Sequence, residues 1–335
     1  MKPVRWGILS TAGIGTKKVI PGMLKSRELE VAAIASRNLG TAQSAAAALG
    51  IPSAHGSYEA LLADPTIEAI YNPLPNHLHV PLTLAALQAG KHVLCEKPMA
   101  ISAAEIEVLR PYASRLHVRE AFMVRHHPQW LAVREELRRG TIGELRFMHV
   151  PFTYFNADPA NIRNQADIGG GALYDIGCYA IVAGRWFFEG DAERVSAVID
   201  RDPVFKTDRT TSGLLDFGAG RQLAFTVSTQ SAPYQRIQLV GSKGRIEIRI
   251  PFNAPPDEAC RYSIDDASAL DGSGIRHVDL PAADQYQLQA EAFSRAVRNE
   301  QPDASALDDA ITNLRIIEAL FAAGASGRFE RPVPR

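Results

Sequence analysis

The chain has little cysteine, no long apolar run and almost no net charge. Its three cysteines, Cys95, Cys178 and Cys260, lie far apart and form no CxxC pair, so no disulfide framework is expected and each should pack as a small apolar group. No apolar run approaches the ~20 residues of a membrane span. The formal net charge of −1 gives no excess of basic residues for a nucleic acid or a membrane surface. These absences predict a globular protein with neither nucleic acid nor membrane as a partner.

The size and composition are those of an ordinary two-domain protein. The chain has 335 residues, of which 46% are hydrophobic and 22% charged. Residues 1–6 enter a strand at once and no signal peptide precedes it, so a cytoplasmic location is expected.

Short apolar runs alternate with helical stretches over the first third of the chain. We predict six strands, at Val4–Leu9, 31–35, 51–55, Ala69–Asn72, His92–Cys95 and 117–122. Helices are predicted between them, including one over 80–89 that Gly90 ends and one to about residue 114 that a capping box at Ser102 and Glu105 opens. This alternation predicts an α/β fold with a doubly wound parallel sheet, a Rossmann domain over residues 1–122.

The pattern changes in residues 123–335, which we assign to a second domain. A helix over 128–139 precedes longer alternating runs at 146–155, 195–199, 211–217, Gln222–Ser228, 236–240 and 245–250. Turn sequences separate several of these runs, which indicates a large, mostly antiparallel sheet in an α+β domain. Residues 254–258 and 265–274 are expected to be loops, and two helices, Gln285–Asn299 and 306–323, close the chain.

The turn after the first strand is the place where a dinucleotide would bind. Ser10-Thr11-Ala12-Gly13-Ile14-Gly15 lies in the frame of GxGxxG, whose helix N-terminus faces a pyrophosphate. Serine and alanine replace the first two glycines, so the strict pattern fails. Small residues still allow close backbone approach, and Ser10 and Thr11 add hydroxyl groups. We assign Ser10, Thr11, Ala12, Gly13 and Ile14 to cofactor binding; the alternative is a plain tight turn.

The end of the second strand favours NADP over NAD. An NAD enzyme usually carries an acidic residue there for the ribose hydroxyl, whereas this chain has Ser36-Arg37. Arginine cannot accept a hydrogen bond from a hydroxyl, but it can bind a 2′-phosphate. We predict NADP, with NAD as the other possibility; the alternative is a solvated arginine at a helix start.

Glu96-Lys97-Pro98 stands where the strand His92–Cys95 ends. In open α/β sheets ligands bind at the carboxyl ends of the strands. A lysine held there is a candidate for chemistry, although a strand can also end in Glu-Lys by chance.

A second motif, Gly169-Gly170-Gly171, precedes a helical pattern that carries Asp175 and Tyr179. These two residues are four apart and project from one helical face. A carboxylate and a phenol so placed can handle a proton, if a nearby cation such as Lys97 lowers the pKa of the phenol. The alternative is that Asp175 caps the helix and Tyr179 packs.

The histidines do not indicate a metal site. His77, His79, His126 and His127 have no carboxylate or cysteine beside them at recognised ligand spacing. We therefore predict no metal and take His79 as a cofactor-side or capping group.

These segments together resemble the glucose–fructose oxidoreductase, inositol dehydrogenase and rhizopine-catabolism family of nicotinamide-dependent oxidoreductases. The segments that carry the resemblance are 6–15, 76–79, 89–98, 120–123 and 169–179. Many relatives have histidine at the position of Tyr179. Tyrosine there is similar to the branch of glucose–fructose oxidoreductase, dimeric dihydrodiol dehydrogenase and NADP-dependent D-xylose dehydrogenases.

The resemblance implies a Rossmann domain, a second domain whose sheet mediates homodimers or homotetramers through its open face, and a cis peptide at Lys97-Pro98. It implies that Lys97 and Tyr179 flank the nicotinamide and the reacting carbon, with Asp175 alongside. It also implies two further sets of contacts. The cofactor contacts are Leu74, Pro75, Asn76, His79, Glu96, Lys97 and Arg125. The substrate contacts are Phe155, Asn161, Arg163, Asp175 and Tyr179.

The expected activity is NADP-dependent hydride transfer to or from a sugar or polyol. Our hypothesis is that Tyr179 takes the proton of the substrate hydroxyl while Lys97 lowers its pKa and stabilises the oxyanion. Two alternatives within the family are a trans-dihydrodiol or anhydro-sugar substrate and redox-assisted glycoside cleavage. An alternative of another class is a non-catalytic dinucleotide sensor.

Overall fold

A computed structural model describes residues 2–332 of the chain. They divide into two compact units. Unit 1 comprises the residues up to Met123 together with Asp284–Ile311, and unit 2 comprises Val124–Ala283 together with the residues from Thr312 onward. The domain boundary at 122/123 stays a prediction, but unit 1 includes a late segment that our sequence division placed in the second domain.

Unit 1 is built on six parallel strands, which confirms the doubly wound sheet. The strands are β1 Val4–Leu9, β2 Leu29–Ala35, β3 Ser53–His55, β4 Ala69–Asn72, β5 His92–Cys95 and β6 Val118–Glu120. Their order is β3-β2-β1-β4-β5-β6. The order reverses between β1 and β4, so the carboxyl ends of these strands form the switch point at which ligands bind in such sheets.

The helices of unit 1 connect these strands and cover the sheet. The α-helices up to β6 are α1 Ile20–Met23, α2 Leu39–Leu49, α3 Tyr58–Leu62, α4 His79–Gln88, α5 Ala103–Ile106 and α6 Arg110–Ala113. A π-helical turn, Gly15–Val19, precedes α1. The predicted capping box is wrong, because the Ser102 hydroxyl bonds to the Glu105 carboxylate at 3.1 Å and does not cap the helix. The predicted continuous helix is instead α5, a 3₁₀ turn at Glu107–Leu109 and α6.

The core of unit 1 explains why a late segment belongs to it. Trp6 of β1 is fully buried and its ring lies 5.2 Å from that of Phe293. The Trp6 indole donates a hydrogen bond to Ser294 Oγ at 3.1 Å. Both partners lie on α9, Gln285–Asn299, whose apolar face completes the core.

Unit 2 contains a mixed nine-stranded sheet. Its strands are β7 Leu145–Phe155, β8 Arg194–Arg201, β9 Asp208–Asp216, β10 Gln222–Ser228, β11 Gln230–Gln235, β12 Ile237–Gly241, β13 Arg245–Ile248, β14 Cys260–Asp265 and β15 Ile275–Leu280. The order is β15-β14-β13-β12-β7-β10-β9-β8, and β11 also pairs with β7. All pairings are antiparallel except that of β10 with β7. The mostly antiparallel sheet is thus confirmed, although β11, β14 and β15 were not predicted.

One face of this sheet is covered within unit 2. Met148, Val150 and Phe152 of β7 are buried, as are the residues of alternating parity on β10. α8, Cys178–Phe188, packs over β7 and follows a π-helical turn at Leu173–Gly177. The remaining α-helices are α7 Pro128–Arg138 and α10 Ser305–Ser326, within which the division between the units falls.

Three further observations concern residues 2–332. No helix among them is long and apolar enough to cross a membrane. No group of three or more histidine, cysteine, aspartate or glutamate side chains in this range could hold a metal ion. The three cysteines are buried thiols, as the sequence predicted.

Candidate active site

The turn after β1 has the backbone that a phosphate-binding turn needs, although its first glycine is replaced. Ser10, at the first glycine position of the motif, has a φ of 75°, in the left-handed region that glycine enters most readily. Its Oγ accepts a hydrogen bond from the Ala12 amide at 3.2 Å, which stabilises this conformation. The serine therefore shapes the turn, a role that the sequence analysis did not assign to its hydroxyl.

The helix that follows the turn presents its first amides at the carboxyl end of β1. The Thr16 amide makes the first helical bond, to Ala12 O at 3.0 Å. The amides of Gly13 and Ile14 belong to the turn before it, where a helix offers no internal acceptor. A Cβ built on Gly13 would meet nothing within 4 Å, so the backbone is open to a ligand there.

Arg37 lies exposed just beyond the end of β2. Its guanidinium is in electrostatic reach of Tyr58, where it opposes the rise that burial causes in the pKa of the phenol. Ser36 Oγ accepts from the Asn38 amide at 3.4 Å, and Asn38 caps α2. An exposed arginine at this point of the sheet suits a phosphate.

Side chains bind successive backbone groups of the loop that carries Lys97. The Lys97 amide donates to Glu96 Oε2 at 3.2 Å, and the Met99 amide donates to Glu120 Oε1 at 2.8 Å. Between them, Pro98 O lies 2.7 Å from His79 Nδ1. The Lys97-Pro98 peptide is cis, as predicted. The lysine therefore stands on a backbone that three side chains fix.

Glu96 also connects this loop to the centre of the sheet. Its Oε1 accepts a hydrogen bond from the Tyr71 hydroxyl at 2.7 Å, and Tyr71 lies buried on β4. The same carboxylate adds to the rise that burial causes in the pKa of Tyr286. Glu96, which was predicted to contact the cofactor, thus also links the Lys97 loop to β4.

His79 lies inside the protein, with 1% of its surface exposed. Its two ring nitrogens lie 2.6 Å from Leu74 O and 2.7 Å from Pro98 O. Burial lowers the pKa of the imidazole to about 4, although both carbonyls act in the opposite direction. The ring lies between the loop after β4 and the Lys97 loop, and in its neutral form it donates a hydrogen bond to one of the two carbonyls. A cofactor contact of His79, like those of Leu74, Pro75 and Asn76, stays a prediction.

In unit 2, Asp175 lies between two partners. Its Oδ2 accepts a hydrogen bond from the Tyr154 hydroxyl at 2.6 Å and lies 2.9 Å from Arg163 Nε. Burial and the Asp175 charge raise the pKa of Tyr154, so this phenol stays protonated and donates. Asp175 raises the pKa of Arg163. The structure therefore brings the predicted Asp175 and Arg163 together and adds Tyr154.

Tyr179 lies one helical turn after Asp175 and is 6% exposed. Its ring lies 6.0 Å from that of Phe152, edge to face, and 5.5 Å from that of Phe252. Arg163 Nε lies 2.9 Å from Asp175, on the helical turn before Tyr179, and the phenol contributes to the raised pKa of Arg163. Two aromatic rings thus line the phenol that the sequence singled out, and the Arg163–Asp175 pair lies on the helical turn before it.

The three glycines before this helix allow a close packing of loops. The Gly170 and Gly171 amides donate to Gln165 O at 2.9 Å and Arg163 O at 2.8 Å. A Cβ on Gly171, whose φ is 117°, would clash with Asp208 Oδ1. Asp208 accepts from the Leu173 amide at 2.7 Å, and burial raises its pKa to about 6. The glycine motif therefore has a structural role: its backbone amides bind the loop that carries Arg163, and its lack of side chains lets Asp208 reach the start of the helix.

The remaining predicted residues have local contacts within unit 2. Asn161 Oδ1 accepts from the Arg163 amide at 3.1 Å, and Phe155 is 65% exposed at the end of β7. Arg125 lies with its guanidinium carbon 5.9 Å from the Trp186 ring. Their contacts with substrate or cofactor stay predictions.

Sequence reasoning missed Tyr154, Glu120 and Asp208. Tyr154 could have been found, because it shares its strand parity with the inward-facing Phe152 on β7. Glu120 ends a strand, and Asp208 begins one, without a motif of its own.

Comparisons with known proteins agree with this arrangement. Residues 4–126 match the model of an oxidoreductase family with an NAD-binding Rossmann fold, and residues 130–247 match the GFO/IDH/MocA C-terminal domain. The chain belongs to the GFO/IDH/MocA oxidoreductase family. It is 45% identical to an uncharacterized oxidoreductase of Rhizobium meliloti, over 98% of this chain and 99% of the other. It is 38% identical to a D-xylose 1-dehydrogenase (NADP(+)) of Haloferax volcanii, over 96% of this chain and 98% of the other.

A solved structure extends the likeness. The 3-ketoreductase KijD10 from Actinomadura kijaniata, in complex with NADP and TDP-benzene, superposes with a TM-score of 0.88 at 31% identity. The match covers 96% of this chain and 98% of that chain. The family expected from the sequence is confirmed, and the chain is an NAD(P)-dependent oxidoreductase.

The residues of unit 1 fit a nicotinamide dinucleotide. The open space at Gly13 and the first-turn amides of the helix can receive a pyrophosphate. The serine at the first glycine position is therefore compatible with a phosphate site, because Ser10 has a positive φ that glycine would adopt readily.

Proposed function

We propose that this protein transfers hydride between NADP and a sugar, either oxidising an aldose at C1 or reducing a keto-sugar. The observation that carries this proposal is the buried Tyr179 phenol, one helical turn from a carboxylate that Arg163 and Tyr154 hold. Two relatives support it, since one is a D-xylose 1-dehydrogenase (NADP(+)) and the other a 3-ketoreductase in complex with NADP.

The cofactor would be held by residues of unit 1. The Ser10–Ile14 turn would receive the pyrophosphate, and Arg37 would bind a 2′-phosphate. When bound, the nicotinamide accepts or supplies the hydride, which is chemistry of the cofactor itself.

The residues of the chain would move the proton. In the oxidative direction Tyr179 takes the proton from the substrate hydroxyl as hydride leaves the carbon, and in the reductive direction it returns the proton. Lys97 stabilises negative charge on the reacting oxygen. Asp175, whose Oδ2 is engaged by Arg163 and Tyr154, orients the substrate through its carboxylate.

The test is NADP reduction, followed by absorbance, against a panel of aldoses and polyols with NADP and NAD. Lys97→Met and Tyr179→Phe should each lower kcat at least about 100-fold. Matched controls are Lys243→Met and Tyr234→Phe, because both side chains are exposed in unit 2. A double variant tests whether the two residues serve one step, in which case its loss is smaller than the product of the single losses.

Near-wild-type turnover in both single variants would refute the residue assignment. Tight NADP binding without hydride transfer to any compound of the panel would refute the sugar oxidoreductase and favour a sensor. Product analysis by mass separates oxidation at C1 from turnover of a dihydrodiol included in the panel.

A further inference from the structure

We propose that Arg163, held in place by Asp175 and Tyr154, is a positioning residue that stabilises the charged form of the Tyr179 phenol. This inference rests on the proposed function, because it assumes that Tyr179 exchanges a proton. It adds Arg163 to the sequence hypothesis, in which Lys97 supplies a cation; that assignment stays a prediction.

The structure fixes Arg163 at its backbone and at its side chain. Its carbonyl accepts from the Gly171 amide at 2.8 Å, and its amide donates to Asn161 Oδ1 at 3.1 Å. Its Nε lies 2.9 Å from Asp175 Oδ2. A guanidinium has five donor hydrogens, so pairing Nε with a carboxylate leaves the other donors available.

Tyr154 holds the carboxylate to which Arg163 is bound. Its hydroxyl reaches the same Oδ2 at 2.6 Å, a short distance typical of a bond to a charged acceptor. Asp175 itself is 14% exposed at its side chain, so the pair is shielded from solvent on one side. Arg163 is 38% exposed and keeps access to solvent or to a substrate.

The charges around Tyr179 within unit 2 explain the need for a cation. Asp175 lies on the same helical face and opposes ionisation of the phenol. Phe152 and Phe252 give an apolar wall, which also disfavours charge. Arg163, from the loop before the glycines, lies 2.9 Å from Asp175 on the turn before Tyr179 and brings a positive charge to this end of the helix. Tyr154 of β7 stays a neutral donor, because burial and the Asp175 charge raise its pKa.

The test reads the ionisation of Tyr179 directly, in the full chain without cofactor or substrate. Tyrosine labelled with ¹³C at Cζ is titrated by NMR, and the Tyr179 signal is assigned by its loss in Tyr179→Phe. Arg163→Gln should raise the titration midpoint of Tyr179 by about 1 pH unit, and Arg163→Lys should restore part of the shift. Asp175→Asn should lower the midpoint, because it removes a negative charge from the same helical face.

Arg261→Gln is the matched control, since Arg261 forms an exposed pair with Asp279 on β14 and β15 and should leave the midpoint unchanged. Should Arg163→Gln fail to fold, Arg163→Met keeps the apolar stem and gives the same measurement. An unchanged midpoint in a folded Arg163 variant would overturn the inference, as would equal upward shifts in the Arg163 and Asp175 variants. A shift as expected in a protein that oxidises no sugar would keep the inference and reject the proposed function.

Discussion

Single residues decide what the dinucleotide turn can do. Strict GxGxxG matching fails at Ser10, yet the structure gives this serine the backbone angle of a glycine and secures it with the Ala12 amide. A glycine in the motif thus serves to provide a backbone conformation. A serine whose side chain stabilises a left-handed φ can provide the same conformation, although this φ costs a non-glycine residue free energy.

Arg37 is the residue on which we expect the choice between NADP and NAD to depend. Arg37→Gln should raise KM for NADP roughly 10–100-fold, because a charge-assisted hydrogen bond to phosphate contributes about 1.5–3 kcal/mol. KM for NAD, which has no 2′-phosphate, should change little. Steady-state kinetics with both cofactors make the measurement, and Arg27→Gln, at another exposed arginine of unit 1, is the control. Equal losses with both cofactors would contradict the assignment.

At the scale of elements, the glycines before the site helix set the position of that helix. Gly171→Ala should lower the free energy of unfolding by more than about 3 kcal/mol, because the new Cβ meets a buried carboxylate in addition to the strain of a positive φ. The carboxylate is that of Asp208, whose Oδ1 the new Cβ would overlap. Thermal unfolding at pH 7 makes the measurement.

The control for this prediction separates backbone strain from the contact. Gly220 also has a positive φ, 76°, but a Cβ there would meet nothing within 4 Å. Gly220→Ala should cost only about 1–2 kcal/mol. If the two variants lose the same free energy of unfolding, backbone strain alone would explain why residue 171 is a glycine.

The elements also show what sequence reasoning could reach. β1, β4, β5, β10 and α9 were predicted with the bounds that the structure gives, because each carries a clear apolar pattern between turn residues. β11 was missed because Pro233 interrupts it and its register with β7 shifts. β15 was missed because it is an exposed edge strand that includes Arg276, His277 and Asp279.

In the candidate site, too, some residues could be predicted from the sequence and others could not. Lys97, Asp175 and Tyr179 were found by motif and spacing, whereas their supports were not. Glu120 and His79 hold the Lys97 loop from distant positions in the chain, and Tyr154 reaches Asp175 across 21 residues. Such contacts depend on tertiary packing, which no local pattern records.

At the scale of the whole molecule, the open face of the nine-stranded sheet is the surface that we expect to bind a second copy. Phe147 of β7 is 38% exposed on this face. Val240 pairs with Phe147 in the register, and Leu214 pairs with Ala224 on the neighbouring strands. These side chains lie on the face opposite the buried Met148 and Leu223, and Val198 on β8 is 78% exposed. Together they form an exposed patch in which Gln222, His149 and Thr226 are interspersed, a mixture of apolar and polar groups that is usual at interfaces between separable subunits.

Phe147→Glu should therefore convert an oligomer to a smaller species, because it would bury a charge beside Val240 in the interface. Sedimentation or light scattering across a concentration series makes the measurement. The control is Leu131→Glu, since Leu131 is 48% exposed on α7, outside the sheet. A wild-type chain that stays monomeric at high concentration would rule out this interface, and an oligomer unchanged by Phe147→Glu would place the interface elsewhere. Because the patch involves none of the residues assigned to catalysis, turnover per chain should survive in the variant unless assembly itself orders the substrate loop.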